Sequence, residues 1–340
     1  MRYHDIWIAG TGGTLGDLVP IADAVADGRY SAQAAESTGM VSISAATEAP
    51  PEMAVTAGRQ AIKDAAEDGV EVSPATLYMH SYGHFQGLEV WPAACFIAGQ
   101  LLGPQLDEMP LTIDAASNGS LACLQIAAGM LTARPDLSTA LFTLADRFAP
   151  PADRWYTSPG MVFGDGGAAA VLTRGGGRLR LLSVVSEADT VLEGLSRGNT
   201  PFHTTPEITP DLRRRTREFL ARGEVSLRDV RARSAARVQS VVSRALLEAD
   251  LTGDEVDWYV PPFVGRSLFQ DSFVRPLGFT PRRTLAELGL TIGHLGAADH
   301  AYALHHLSDE GLLEPGERIL LVGTGMGFTF SAAVLAADRV

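Results

Sequence analysis

Along its first half, the chain alternates short apolar runs of strand length with longer runs of helical periodicity, and this alternation constrains the fold most. Asp5–Ala9 reads as a strand ending in Gly10-Thr-Gly-Gly. Pro51–Asp68 reads as a helix, with the acids Glu52, Asp64 and Glu67 flanking Met53, Val55 and Ile62. Leu77–Met79 follows as a strand, Val90–Leu102 as a helix, Leu111–Asp114 as a buried strand, Asn118–Leu131 as an apolar helix and Ala140–Leu144 as a strand. This β-α-β-α rhythm predicts a parallel sheet covered on both faces. The second half repeats it more loosely. Arg213–Asp250 is mostly helical, Trp258–Val260 a strand, Gly296–His306 a helix, and Arg318–Val322 and Phe328–Leu335 the closing strands. Phe163-Gly-Asp-Gly-Gly-Ala-Ala-Ala-Val-Leu and Met326-Gly-Phe-Thr-Phe-Ser-Ala-Ala-Val-Leu echo each other, each a glycine turn feeding a small-residue strand, as a duplicated β-α unit would require.

Composition narrows the function. The 340 residues carry 27 Lys and Arg against 40 Asp and Glu, a formal charge of −13, which argues against nucleic acid or an anionic membrane as the main partner. Lys63 is the only lysine, so pyridoxal chemistry and a Walker-type phosphate loop lack the residue each needs. Cys95 and Cys123 cannot make a disulfide framework or a cysteine zinc site, and both read as packed core thiols. Ala115–Ala133 and Ile319–Ala337 are free of charge for about a membrane-span length. A central helix accounts for the first, and two buried strands around Gly323, Gly325 and Gly327 account for the second. Met1–Gly16 lacks the basic start and apolar run of a signal peptide, so a soluble cytoplasmic enzyme is the expectation. Between Asp211 and Arg244, ten Arg face four acids. That stretch reads either as a solvated helix pair or as a docking patch for an acidic partner.

The richest segment is Leu111-Thr-Ile-Asp-Ala-Ala-Ser117-Asn-Gly-Ser-Leu-Ala-Cys123. A strand ends, a small polar residue turns the corner and an apolar helix begins. A side chain at that corner points to the carboxyl edge of the sheet, where α/β ligand sites gather. It also sits at the positive end of a helix dipole, beside unpaired N–H groups that can hold an oxyanion. The pattern half-matches a nucleophile elbow, Gly119 being present and Ala115 standing for the first glycine. On spacing alone, a plain helix N-cap is the better account of Ser117.

The same segment resembles the active-site stretch D-A-x-C-x-G of the β-ketoacyl-carrier-protein synthase III family, in the thiolase superfamily. Ser37-Thr-Gly-Met resembles the family's T-G-I turn, and Pro92-Ala-Ala-Cys-Phe-Ile-Ala-Gly-Gln-Leu-Leu-Gly its second helix. Phe163–Leu172 resembles its F-G-D-G-A-G-A-A-V-L signature, Gly293-His-Leu-Gly-Ala-Ala-Asp its G-N-T-S-A-A-S stretch, and Gly325-Met-Gly-Phe-Thr-Phe its G-G-G-F-T-W ending. The likeness spans nearly the whole chain and is weakest over Glu187–Val225. It implies a duplicated α-β-α-β-α thiolase fold, residues 1–175 carrying the nucleophile and 176–340 the catalytic histidine. It also implies a homodimer.

Three departures from the family pattern bear on chemistry. The nucleophilic Cys corresponds to Ser117, the His of V-P-H-Q-A-N falls at Pro262, and the catalytic Asn corresponds to His294. Pro262 has no donor with which to stabilise the carbanion of a decarboxylating malonyl thioester. A serine needs an adjacent base, which a cysteine at a helix dipole does not. His294 supplies one, and Asp299 could hold the other ring nitrogen. By position, the backbone N–H groups of Ser117 and Met326 form the oxyanion hole.

The expected activity is therefore transfer of a polyketide-type acyl group, aromatic ones included, from an acyl carrier protein through an acyl-Ser117 ester. The acceptor would be a hydroxyl or amine of a small natural product such as a sugar or cyclitol, as in the family's acyltransferase branch. A starter-unit priming enzyme, a non-catalytic synthase partner and a hydrolase stay open. The family's primer-CoA arginine is replaced by Ser37 and the basic residues after it by Met40–Ser44, which points to a carrier protein over free acyl-CoA. Arg266, Arg275 or the Arg213–Arg217 cluster would meet that carrier, and His84, with His80, would line the pocket. No cofactor or metal is expected beyond the donor's phosphopantetheine thioester. His300, His305 and His306 read as packed or solvated rather than as ligands.

Overall fold

Among the described residues there are twelve strands: β1 (Trp7–Leu15), β2 (Asp17–Pro20), β3 (Ser42–Ala45), β4 (Leu77–Ser81), β5 (Leu111–Ile113), β6 (Thr139–Asp146), β7 (Gly166–Thr173), β8 (Leu179–Ala188), β9 (Trp258–Val260), β10 (Arg283–Thr284), β11 (Arg318–Gly325) and β12 (Thr329–Ala337). The computed structural model describes residues 1–158, 160–204 and 211–338. Ten strands form one sheet in the order β10-β9-β11-β12-β8-β1-β7-β6-β4-β5, and β2 and β3 form a separate hairpin. The order reads alike outward from its centre, where β1 meets β8 through Trp7–Arg180 and Ile8–Leu179. On one side β7 runs antiparallel to β1 and β6, while β6, β4 and β5 are parallel. On the other side β12 runs antiparallel to β8 and β11, while β11, β9 and β10 are parallel. The two glycine-fed segments that echo each other in sequence lead into β7 and β12, equivalent strands in this repeat.

Helices complete an α-β-α-β-α stack, the thiolase fold. Helices Gly119–Ala133 and Asp299–Asp309 share the central core, where Leu121, Leu124, Leu131, Leu304 and Leu307 are buried. That burial explains the charge-free run around Ser117, each such leucine contributing about 1.5–3 kcal/mol. Helix Pro50–Glu67 covers β1 and β7 with an alanine face, Ala54, Ala57, Ala61 and Ala65. Helix Leu227–Glu248 covers β8 and β12 with Val238, Val241, Val242 and Ala245.

Several expectations need correction. The first strand does not stop at the glycines but runs through them to Leu15. They are required because helix Pro50–Glu67 lies so close that a Cβ on Gly10 or Gly12 would overlap the carbonyl of Ala61 or Ala57. β5 is an edge strand with Thr112 exposed, not a buried one. Cys95 is exposed, because its helix buries Ala93, Ala94, Ile97 and Ala98 on the opposite face; Cys123 is packed as expected. The basic stretch divides into helices Leu212–Ala221 and Leu227–Glu248 at Gly223, with Ser226 and Asp229 forming a capping box. Much of its charge is satisfied within the chain. Arg233 pairs with Asp189, Arg237 and Arg244 with Glu187, Arg214 with Glu218, and Arg213 lies over the Tyr156 ring.

Candidate active site

β5 gives way to a single 3₁₀ turn, Ala116–Asn118, before the central helix starts at Gly119. Ala116 has φ 46°, a left-handed conformation unusual for a residue with a Cβ, and it sets the corner from which Ser117 projects. Gly119 permits the corner to sit tightly, since a Cβ there would overlap Ser81 and come within 2.8 Å of Ala297 Cβ. Ser117 is half-buried and its Oγ lies 2.7 Å from His294 Nε2.

His294 comes from the second half and is held on every side. Its N–H donates to Val162 O and its carbonyl accepts from Gly164 N–H, both at 2.9 Å, stitching it to the Phe163-Gly-Asp segment. Its Nδ1 lies 2.6 Å from Asp299 Oδ2. Asp299 is fully buried at the first position of helix Asp299–Asp309, and it also accepts from the backbone N–H of Phe263 (2.8 Å) and Leu295 (2.7 Å). With Nδ1–H donating to Asp299 Oδ2, Nε2 is left free to accept from the Ser117 hydroxyl. Burial works against a charged imidazole, yet the adjoining Asp299 and the nearby Asp146 outweigh it and hold His294 above the ordinary histidine range.

The tip of the β11–β12 hairpin abuts this turn. Gly325 packs directly on Ala115 O, and Asn118 Nδ2 donates to Thr329 Oγ1 (3.2 Å) and Ser331 Oγ (2.8 Å). Ser117 and Met326 thus belong to adjoining turns. A groove of about 700 Å³ is lined by Ala115, Asn118, Ile126, Met130, Ser186 and Thr329.

The remaining candidates separate. His84 joins the site through a run of rings: it stacks on Phe148 (5.5 Å between centroids), Phe148 on Phe163 (4.3 Å), and Phe163 lies 5.4 Å from the His294 ring. Sequence reasoning did not anticipate Phe148, although it lies four residues past the end of the strand read at Ala140–Leu144. His80 does not line a pocket. It is fully buried with its ring nitrogens on Thr143 and Gln86, and burial drives it down to about 4. His300 is buried with Nε2 on Val322 O. Pro262 is buried, and the next residue, Phe263, lends its N–H to Asp299. Arg266 and Arg275 are exposed and remote from Ser117 in their contacts: Arg266 pairs with Glu287 and packs its stem on Gly39, while Arg275 pairs with Asp271. Among the described residues no group of three His, Cys, Asp or Glu could hold a metal ion, and no helix is long and apolar enough to cross a membrane.

Comparison with known proteins agrees with this architecture. 3-Oxoacyl-[acyl-carrier-protein (ACP)] synthase III matches residues 111–190, and the C-terminal part of that family matches residues 246–337. The β-ketoacyl-[acyl-carrier-protein] synthase III of Rhodospirillum rubrum is 27% identical over 293 residues, covering 85% of this chain and 84% of the relative. Among solved structures, ChlB3, described as an acyltransferase, is 32% identical, superposes with a TM-score of 0.89 and covers 99% of this chain and 98% of its own. OleA of Xanthomonas campestris, at 18% identity, TM-score 0.76 and coverage of 99% and 100%, shares the fold. The chain belongs to the 3-oxoacyl-[acyl-carrier-protein] synthase III family of thiolase-fold enzymes.

Proposed function

We propose that this family member is a non-decarboxylating acyltransferase working through an acyl-Ser117 ester. The observation that carries the reading is the continuous relay Ser117 Oγ, His294 Nε2, His294 Nδ1, Asp299 Oδ2, with links of 2.7 and 2.6 Å. Ser117 Oγ attacks the thioester carbonyl while His294 Nε2 takes its proton, and Asp299 stabilises the imidazolium. The tetrahedral oxyanion turns to the backbone N–H groups of Ser117 and Met326. The thiolate leaves with the proton from His294, and the acyl group is held as an ester. An acceptor O–H or N–H then gives its proton to His294 and attacks the ester. Ser117 departs reprotonated, so the products are an ester or amide and the free thiol.

The donor is an acyl carrier protein bearing a polyketide-type acyl chain on phosphopantetheine, met by surface arginines including Arg266 and Arg275. The acceptor is a hydroxyl or amine on a small molecule of sugar or cyclitol type, and the enzyme works as a homodimer. Likeness to ChlB3 supports transfer over condensation. So does Pro262, which offers no hydrogen-bond donor to an enolate.

The deciding experiment is intact-mass measurement after incubation with acyl-carrier donors, followed by peptide mapping. A stable acyl adduct on Ser117 that a nucleophilic acceptor discharges supports the proposal. An unmodified Ser117 with every donor would support a non-catalytic partner role instead, and carbon dioxide release from malonyl-carrier protein would support priming.

A further inference from the structure

Asp146, the last residue of β6, is fully buried and has no place in the proton relay. Its Oδ1 accepts from the backbone N–H groups of Gly83 (2.9 Å) and His84 (2.8 Å), and its Oδ2 from Ala297 (2.9 Å) and again Gly83 (2.9 Å). Gly83 and His84 follow β4 in the first half of the molecule. Ala297 belongs to the turn Gly296–Ala298, which joins His294 to Asp299 in the second. Gly296 has φ 63°, and a Cβ on it would overlap the Asp146 carboxylate, so the turn is wrapped directly around this group. One side chain therefore fastens the loop carrying His84 to the turn carrying the base and its orienting acid.

We propose that Asp146 is a positioning residue for acyl transfer, clamping the His294–Asp299 turn at the distance from Ser117 that proton transfer needs. The proposal rests on the acyl-serine reading above. A misplacement of about 1 Å at such a turn can cost on the order of a hundredfold in rate. When ionised, the clamp also bears charge. Burial pushes the Asp146 carboxyl up to about 7, opposed by the three backbone donors and by His294. His294 in turn has Asp299, Asp146 and His300 as its ionisable neighbours. A carboxylate at 146 thus favours the imidazolium formed as Ser117 attacks.

Two variants test this, each read by histidine NMR titration of His294 and by the rate of Ser117 acylation with p-nitrophenyl acetate. Asp146→Asn keeps the size but removes the charge and sets an amide against backbone donors. It should slow acylation about tenfold or more and lower the His294 midpoint by about half a unit. Gly296→Ala pushes on the turn while keeping the charge, and should slow acylation with the midpoint unmoved. A folded Asp146→Asn protein that acylates at full rate overturns the proposal; a slow one with an unmoved midpoint keeps the clamp and removes only its charge effect. So does Gly296→Ala at full rate, which stands as a test even if Asp146→Asn does not fold. Wild-type protein that forms no Ser117 adduct would defeat the acyl-serine reading, while the NMR midpoints would still report whether Asp146 acts on His294.

Discussion

Ser117 and His294 stand 177 residues apart in the chain, yet their side chains meet at 2.7 Å across the boundary between the two halves. Each half brings what the other lacks. The first offers a hydroxyl on a strained corner at a helix N-terminus, and the second an imidazole stitched to Val162 and Gly164 and oriented by Asp299. A hydroxyl thus stands with an imidazole at hydrogen-bond distance, which is the arrangement an oxygen nucleophile requires.

Removal of either partner should stop attack for different reasons. Ser117→Ala should leave no acyl adduct by intact mass. His294→Ala should keep the hydroxyl but slow acylation by about a thousandfold or more, since the proton then has no acceptor. Ser117→Cys should still acylate, because a thiol at the helix N-terminus with a neighbouring imidazole ionises readily.

The pH profile follows from the sign of the His294 shift. The base must be neutral, and its pKa lies above the ordinary 6.5. Acylation should therefore rise with pH, about tenfold per unit below the midpoint, and level off above it. Asp299→Asn should move that midpoint downward and slow the reaction. In folding terms, a raised histidine pKa contributes stability that is fully present below the unfolded-state value and lost as pH climbs through the folded one.

Malonyl-carrier protein should release no carbon dioxide with the wild-type enzyme. The enolate of a decarboxylation needs fixed donors, and position 262 holds a buried proline. Trapping of radiolabelled carbon dioxide above background would contradict this.

Charge at the surface should govern the donor and leave the chemistry alone. Arg266→Glu is expected to raise KM for a carrier-bound donor about tenfold while kcat stays close to wild type. The same variant should be indifferent to a small activated ester. Equal effects on both donors would show that Arg266 acts through its packing on Gly39 and not through carrier docking.

Stability should depend on the glycines of β1. Gly12→Ala sets a methyl group against the backbone carbonyl of Ala57, which cannot swing away, and should cost about 1–3 kcal/mol. Denaturant melts would measure it, with helix Pro50–Glu67 displaced from the sheet.

Much of the architecture was legible from local pattern, because strand and helix periodicities and turn residues act over a few neighbours. The charge-free run after Ser117 correctly marked a buried helix, and the echo of Phe163–Leu172 in Met326–Leu335 marked two equivalent strands. Misreadings fell where a distant element decides. Gly10 and Gly12 look like a turn until a helix some fifty residues on is seen lying against them. Cys95 looks like core until its helix is rotated against the sheet. Ser117, His294 and Asp299 could be nominated from residue types and family likeness, but a hydroxyl, an imidazole and a carboxylate become a relay only at hydrogen-bond distance. That distance is a property of how the two halves of the sheet and the two central helices pack. Asp146 shows the same limit more sharply: nothing around it in the chain distinguishes it from any other strand-end acid, and its three backbone donors come from segments about 60 and 151 residues away.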